Sequence, residues 1–374
     1  MHQYFATVAR GLEPLAAQEL HCLGAEAVQA EFCGVRFGGG RELLYRVNLW
    51  SRLVFRVLVT LGDCPCPDGE ALYQGIQALD WRPYLTPAQT LAVDATGKNH
   101  RLNHSHFTAL QVKNAIVDQQ QRHWGDRSTI DTQQPDVRVN VHIRGETCTI
   151  SLDSSGRSLH RRGYRAAVGS APLKETLAAA LVQLSGWTGQ EPLIDPLCGS
   201  GTLPLEASLW ALNVAPGLFR DRFGFETWPG FEPALWQRLR QDAEGSRKAR
   251  LATLVWGCDR DPAVIDQAQT NAQRCGLADQ IQFFEQHLED LAAPASRGYI
   301  LCNPPYGERL GRHEDLAALY QLLGEVLKQR FKGWTAFILS GNRDLARCIG
   351  LKSAQRIPIN NGSLPCQWMK YELY

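Results

Sequence analysis

Residues 302–309 read Cys302-Asn303-Pro304-Pro305-Tyr306-Gly307-Glu308-Arg309 and follow directly on the apolar run Gly298-Tyr299-Ile300-Leu301. The run predicts a buried strand, which places Asn303 and its neighbours at a strand's carboxyl end. In an open α/β sheet that is where ligands bind. Asn-Pro-Pro-Tyr has a chemical use there. The exocyclic amine of a nucleobase is a poor nucleophile, because its lone pair is delocalised into the ring. An Asn side-chain oxygen and the carbonyl of the following Pro can both accept hydrogen bonds from that amine, which localises the lone pair. Two prolines stiffen the turn, each fixing φ and offering a carbonyl without a competing N–H. Tyr306 offers a ring on which an unpaired base can stack. The plainer reading is a strand-ending turn, since Pro-Pro commonly punctuates a chain.

Upstream lies Asp195-Pro196-Leu197-Cys198-Gly199-Ser200-Gly201-Thr202, between a short apolar strand (Leu193-Ile194) and a helix through Leu203, Leu205, Ala207 and Leu209. A glycine-rich turn in this setting usually cradles a pyrophosphate. Here the third glycine is replaced by Pro204, and the next strand-end acid, Asp259, lies far beyond the roughly 20 residues of a dinucleotide fold. The carboxylate of Asp195 would repel a pyrophosphate and attract a cation. Two acids at successive strand ends, with two glycines for close backbone approach, suit S-adenosylmethionine, which carries a sulfonium, an ammonium and two ribose hydroxyls. Asp195 alone would pass for an Asx turn, and Asp259 for part of a helix cap. Together with Asn303 at a third strand end they read as one site. No G-x-x-x-x-G-K-[ST] motif occurs, which excludes a P-loop nucleotidase.

Around these two motifs, residues 166–374 alternate strands and helices, the pattern of a Rossmann-like parallel sheet. Strands are expected at 254–259, 281–284, 298–302 and 334–339, and helices at 172–184, from Asp261-Pro262 onward, and at 315–329. Arg356 to Ile359 and Trp368 to Leu373 predict a closing hairpin, an antiparallel edge on that sheet. Residues 1–58 alternate short strands and helices in the manner of a small ferredoxin-like α+β unit. Residues 59–165 form a second α/β segment. It has a loop at 63–69, a helix through 71–79, a strand at 89–95, a long helix capped by Ser105, and a hairpin around Gly145. This segment ends in a cationic cluster, Arg157, His160, Arg161, Arg162 and Arg165, with Tyr164 inside it; such a cluster suits phosphate contacts and one stacking ring, or else a solvated linker.

Composition bounds these readings. Of 374 residues, 44% are hydrophobic and 21% charged, as in an ordinary globular protein, and the net charge of +1 does not by itself announce a nucleic-acid binder. No apolar run reaches the roughly 18 residues of a membrane span, and the start has no signal-peptide pattern. The 11 cysteines are scattered without any C-x-x-C, which disfavours zinc and disulfide frameworks and fits a reducing cytoplasm. No metal is expected.

The motifs Asp195-Pro-Leu-Cys-Gly-Ser-Gly-Thr, Gly257-Cys-Asp-Arg-Asp-Pro and Asn303-Pro-Pro-Tyr-Gly-Glu-Arg resemble those of THUMP-containing class I RNA guanine-N2 methyltransferases, most closely the bacterial group acting on large-subunit (23S) ribosomal RNA. Gly163-Tyr-Arg, Ala171-Pro-Leu-Lys-Glu-Thr-Leu-Ala-Ala and the insertion Ala215-Pro-Gly to Trp228-Pro-Gly-Phe-Glu-Pro-Ala-Leu-Trp are similar too, so the likeness runs through nearly the whole chain. The resemblance implies a ferredoxin-like piece at 1–58, an RNA-binding THUMP domain at 59–165 and a methyltransferase domain at 166–374. It implies that Asp195, Gly199, Gly201 and Thr202 line the methionine side of S-adenosylmethionine and that Asp259 holds the ribose. Asn303, Pro304, Pro305 and Tyr306 would hold the target base. RNA, of the ribosome, is the expected partner, with Lys98, Arg101, Lys113, Arg157, Arg161, Arg162 and Arg165 as its candidate contacts. Two departures stand out. His287 occupies the place of the family's adenine-reading acid, with Glu289 or Asp290 as substitutes. Some relatives carry a further methyltransferase domain after this one, whereas this chain stops at Tyr374, so a single methylation chemistry is expected.

Other readings remain open on the residues. Guanine-N2 methylation of tRNA uses the same parts, and Asn-Pro-Pro-Tyr serves adenine-N6 equally well. Cytosine-C5 chemistry would need a nucleophilic cysteine, for which Cys302 and Cys366 are the candidates. An RNA-binding assembly factor that has lost its cofactor is the reading without catalysis.

Overall fold

In the computed structural model residues 2–165, 173–306 and 313–374 are described, the side chain of His313 excepted. Met1, Ala171-Pro172 of one quoted motif and Gly307-Glu308-Arg309 of another lie outside them. The chain divides into two compact units. One comprises Met1–Val8, Ala16–Leu159 and Arg220–Gln241; the other comprises Ala9–Leu15, His160–Phe219 and Asp242–Tyr374.

The first unit is built on strands β1 (His2–Thr7), β2 (Glu26–Glu31), β3 (Gly34–Gly39), β4 (Arg56–Pro65), β5 (Leu91–Lys98), β6 (Val137–Arg144) and β7 (Thr147–Asp153). All seven join one sheet in the order β2-β3-β1-β4-β7-β6-β5. Every pairing is antiparallel except β5 with β6. The sheet is continuous across residue 58 because β4 pairs with β1 on one side and β7 on the other. Helices α1 (Glu13–Cys22), α2 (Arg41–Trp50), α3 (Gly69–Ala78) and α4 (Ser105–Trp124) accompany it. β2 (EAVQAE) has no apolar alternation and leaves its polar residues in water, as an edge strand does, so periodicity does not reveal it. The cap of α4 is His104, whose Nδ1 accepts from the Phe107 N–H at 3.3 Å, so Ser105 is the first helical residue rather than the cap and the helix starts one place earlier than expected. The core gathers Trp81, Leu91, Val112, Ile116, Val139, Val141 and Ile150.

The insertion at 220–241 packs with this first unit. Phe225 stacks on Tyr45 with ring centroids 4.3 Å apart, the Glu232 N–H donates to the Tyr45 hydroxyl at 3.1 Å, and Arg238 pairs with Glu42 at 2.9 Å. Tyr45 is fully buried, and these aromatic contacts decide where the insertion goes.

The second unit holds α5 (Glu175–Ser185), β8 (Leu193–Asp195), α6 (Thr202–Ala211), the end of α7 (Pro233–Gly245), β9 (Val255–Asp259), α8 (Pro262–Arg274), β10 (Ile281–Glu285), β11 (Tyr299–Cys302), α9 (His313–Arg330), β12 (Thr335–Ser340), α10 (Arg343–Cys348), β13 (Gln355–Asn361) and β14 (Leu364–Glu372). The sheet order is β10-β9-β8-β11-β12-β14-β13. The first five strands run parallel and the closing hairpin is antiparallel, as the sequence leads one to expect. The chain winds outward from β8 to β10 and then returns to the other side of β8 with β11. The carboxyl ends of β8 and β11 therefore flank the switch point where such sheets bind ligands. Ile194, Ile300, Tyr320, Leu323, Trp334 and Ile338 form the core beneath it.

Candidate active site

Three strand ends meet at the switch point: β9 ending in Asp259, β8 in Asp195, and β11 leading into Asn303. Asp195 is 2% exposed and its Oδ1 accepts from the Leu197 N–H at 3.2 Å. Burial pushes its carboxyl well above the usual carboxylate range, and the charge of Asp259 adds to the shift while the Leu197 N–H opposes it. A cation placed beside it would remove that cost, which is the property asked of a partner for an ammonium or sulfonium. Asp259 Oδ2 accepts from the Gly199 N–H at 3.0 Å, and its backbone oxygen accepts from the Gln286 N–H at 3.0 Å.

The glycine loop between β8 and α6 is tied at several points. The Cys198 N–H bonds the Cys258 oxygen at 2.9 Å, and Asn271 Nδ2 donates to the Ser200 oxygen at 3.0 Å. Gly201 has φ +80°, and a Cβ there would stand 2.8 Å from Phe283 Cζ, so the loop can lie this close to β10 only with glycine. Gly199, at φ +49°, has nothing within 4 Å of where a Cβ would point, so the loop is open on that side. An open face beside Gly199 and two carboxylates at adjacent strand ends fit the methionine and ribose ends of S-adenosylmethionine. Thr202 opens α6 and is buried. His287 is exposed two residues beyond β10, at the start of a 3-10 turn over Leu288–Asp290.

On the other flank, Asn303 Oδ1 is buried and meets no hydrogen-bond donor among the described residues. A buried acceptor without a partner is costly, by about 1–3 kcal/mol, and an N–H donor arriving at the end of β11 would remove that cost. Pro304 and Pro305 follow outside any regular element. Tyr306 is half-buried, and its hydroxyl accepts from Asn361 Nδ2 on β13 at 2.8 Å. Burial raises the Tyr306 pKa, keeping the phenol neutral. Nothing in the local sequence singles out Asn361; only the fold, by bringing the closing hairpin beside β12, reveals it. Cys302 and Cys366 are buried and burial pushes both thiols upward, so neither is an activated thiolate of the kind cytosine-C5 chemistry uses.

The cationic cluster does not hold together as expected. Lys98, Arg101 and Arg157 are exposed and Lys113 is half-buried, all in the first unit, with Arg101 paired to Asp68 at 3.1 Å. Arg161 is exposed in the second unit. Arg162, by contrast, is 1% exposed and faces Glu206 at 3.6 Å, and Tyr164 is equally buried with its hydroxyl donating to Glu206 at 3.0 Å. Neither can meet RNA: the pair and the ring belong to the interior. Arg165 is turned inward as well, toward Glu175, Ser200 and Thr202. Among the described residues no group of side chains is arranged to hold a metal ion, and no helix is long and apolar enough to cross a membrane.

Comparison with known proteins adds to this geometry. Residues 162–370 match the family described as RMKL-like, methyltransferase domain, residues 67–153 match the THUMP domain, and residues 3–58 match the RlmL ferredoxin-like domain. A protein of Synechocystis sp. named for RNA methyltransferase activity is 55% identical over 99% of this chain and 97% of its own length. A ribosomal RNA large subunit methyltransferase K/L of Syntrophotalea carbinolica is 42% identical over 99% of this chain, which spans 53% of that protein's length. A crystal structure named as a methyltransferase and complexed with S-adenosylhomocysteine superposes with a TM-score of 0.90 at 32% identity, covering 100% of this chain and 98% of the other.

Proposed function

This chain belongs to the THUMP-containing family of RMKL-like, S-adenosylmethionine-dependent methyltransferases, and from that premise we propose that it methylates the exocyclic N2 amine of a guanosine in structured RNA, namely large-subunit ribosomal RNA in the cytoplasm. The observation that carries this reading is the buried acceptor of Asn303, unpaired among the described residues at the strand end next to Asp195. Its oxygen and the Pro304 carbonyl accept hydrogen bonds from the two N–H groups of the target amine and localise its lone pair; the one proton displaced by the methyl group leaves to solvent after transfer. Tyr306, steadied by Asn361, borders the base. Asp195 would receive the cofactor's ammonium, Gly199, Gly201 and Thr202 would line its methionine part, Asp259 would hold the ribose hydroxyls, and His287 would read the adenine. Bound S-adenosylmethionine supplies a methyl group already activated by a positive sulfur, so positioning, worth up to about 7–11 kcal/mol, is the main task of the protein. The base has to leave its stack to reach the turn.

The THUMP segment 59–165 supplies RNA contacts, with Lys98, Arg101, Lys113, Arg157 and Arg161 among them, and 166–374 supplies the chemistry. Incubation with radiolabelled S-adenosylmethionine and ribosomal RNA from a strain lacking the protein, followed by nucleoside analysis, tests the proposal. Label in N2-methylguanosine is expected. Label in N6-methyladenosine would reassign the same cradle to adenine. Absence of heat on titration with S-adenosylhomocysteine would leave only an RNA-binding role.

A further inference from the structure

The geometry points to Arg165 as a positioning residue of the cofactor loop rather than a contact to RNA, and we propose that it sets cofactor affinity by holding Ser200 and Thr202 in place. Its guanidinium reaches two separate stretches of chain, 173–175 and 200–202. Nε donates to Glu175 Oε1 at 2.7 Å and Nη1 to Ser200 Oγ at 3.2 Å, while Nη2 donates to the Leu173 carbonyl at 2.7 Å and to Thr202 Oγ1 at 3.0 Å. The side chain is 16% exposed, and that of Glu175, its counter-ion, is 5% exposed. The backbone is fixed as well, since the Arg165 oxygen accepts from Arg274 Nη1, at the end of α8, at 3.1 Å. Four of the five guanidinium hydrogens are thus engaged, which leaves little with which to grip a phosphate.

The placement matters because of what Arg165 touches. Ser200 stands between two glycines that both have positive φ, +49° and +80°, so the loop has little stiffness of its own. Restraint has to come from outside it. Asp259 holds the Gly199 N–H, Asn271 holds the Ser200 carbonyl, and Arg165 holds the hydroxyls of Ser200 and Thr202. A loop already ordered before the ligand arrives does not lose that freedom on binding, and the ligand binds more tightly. The planar fork makes four bonds to two stretches at once; a lysine ammonium, a single point with three donors, cannot do so.

The inference rests on the proposed reading of Gly199 to Thr202 as the cofactor-facing loop, so the test separates the two. Calorimetry with S-adenosylhomocysteine, filter binding with ribosomal RNA transcribed in vitro, and steady-state kinetics would be run on Arg165→Lys, on Ser200→Ala with Thr202→Val, on the triple variant and on Gly199→Val. Gly199→Val is expected to abolish S-adenosylhomocysteine binding; undiminished binding would overturn the loop reading and the role of Arg165 with it. Arg165→Lys and the hydroxyl deletions are each expected to raise the Kd for S-adenosylhomocysteine about tenfold or more, with the triple variant no worse than Arg165→Lys. The KM for S-adenosylmethionine should rise with them while kcat at saturation changes little, whereas partial misfolding would lower kcat at constant KM. The hydroxyl deletions leave the Arg165–Glu175 pair intact, so they report even if Arg165→Lys folds poorly. Loss of RNA affinity with unchanged S-adenosylhomocysteine affinity in Arg165→Lys would overturn the proposal and restore a phosphate contact.

Discussion

The two flanks of the switch point in the second unit are made differently. On the β8–β9 side the protein itself holds the loop and the strand ends: Asp259 takes the Gly199 N–H, Asn271 the Ser200 carbonyl, Asp195 the Leu197 N–H. On the β11 side the buried oxygen of Asn303 has no donor among the described residues. In the proposed reading the first flank is a finished surface on which a ligand of fixed shape is laid. In that reading the second is an acceptor held ready for the amine that reacts. That is the division expected when one ligand is bound whole and the other must be altered electronically, because only interactions that strengthen toward the transition state accelerate a reaction.

If the finished flank depends on what lies beneath it, the largest effect should come from there. Arg162 and Glu206 form a pair with side chains 1% and 0% exposed. Removing one member leaves the other charge buried, at a cost of about 3–5 kcal/mol. Arg162→Ala is therefore expected to lower Tm and the denaturant midpoint strongly, a loss readable by circular dichroism. A variant as stable as the wild type but impaired in RNA binding would return Arg162 to the phosphate contacts.

Asn303→Ala sharpens the same comparison from the other flank. It should lower kcat by about 10²–10³, the scale for deleting one preorganised polar group at a reacting centre. The Kd for S-adenosylhomocysteine should stay within about twofold. Equal losses in both quantities, by kinetics and calorimetry, would mean that the flanks are not functionally separate.

The flanks should also differ in their response to pH. Burial and the Asp259 charge raise the Asp195 pKa. In the free protein the native state then binds its proton more tightly than the unfolded chain does. The associated stability is present below the ordinary carboxylate range and is lost as pH rises through the raised native value. Affinity for the cofactor's ammonium has the opposite sign, because it needs the ionised carboxylate. Below the raised value, the Kd for S-adenosylhomocysteine should increase by up to about tenfold per pH unit as pH falls. Asp195→Asn should remove that dependence; if the slope persists in calorimetry, another group carries it.

How far the sequence reaches follows the same division. Asp195, Asp259 and Asn303 were legible because each ends a short apolar strand, and strand ends in a parallel sheet converge. The closing hairpin was legible from its apolar runs. Arg162 and Tyr164 were not, because a run of cations looks the same whether it faces water or pairs with a glutamate more than one element away. Nor was the destination of 220–241, which is set by Tyr45 on a helix far earlier in the chain. Asn361 belongs to the same class: its contact to Tyr306 joins residues that only the sheet order brings together. Asn361→Ala should lower kcat about three- to tenfold, the range for one neutral hydrogen bond, with Asn361→Gln recovering part of it. No change in kcat would show that the ring needs no such support.

The smallest effect should come from Arg161, which is exposed beside the buried Arg162. The two are neighbours of identical chemistry, and the backbone sends alternate side chains to opposite sides. A surface guanidinium near RNA contributes by releasing counterions, so its loss should be uniform across RNA sequences and visible mainly as salt dependence. Arg161→Ala is expected to weaken binding of ribosomal RNA a few-fold and to reduce the slope of log K against log salt by about one unit. Stability should not move, in contrast to Arg162→Ala. Filter binding from low to high salt decides the matter: an unchanged slope would confine the phosphate contacts to Lys98, Arg101, Lys113 and Arg157, and would leave the chemistry-bearing unit to meet its RNA through the target base alone.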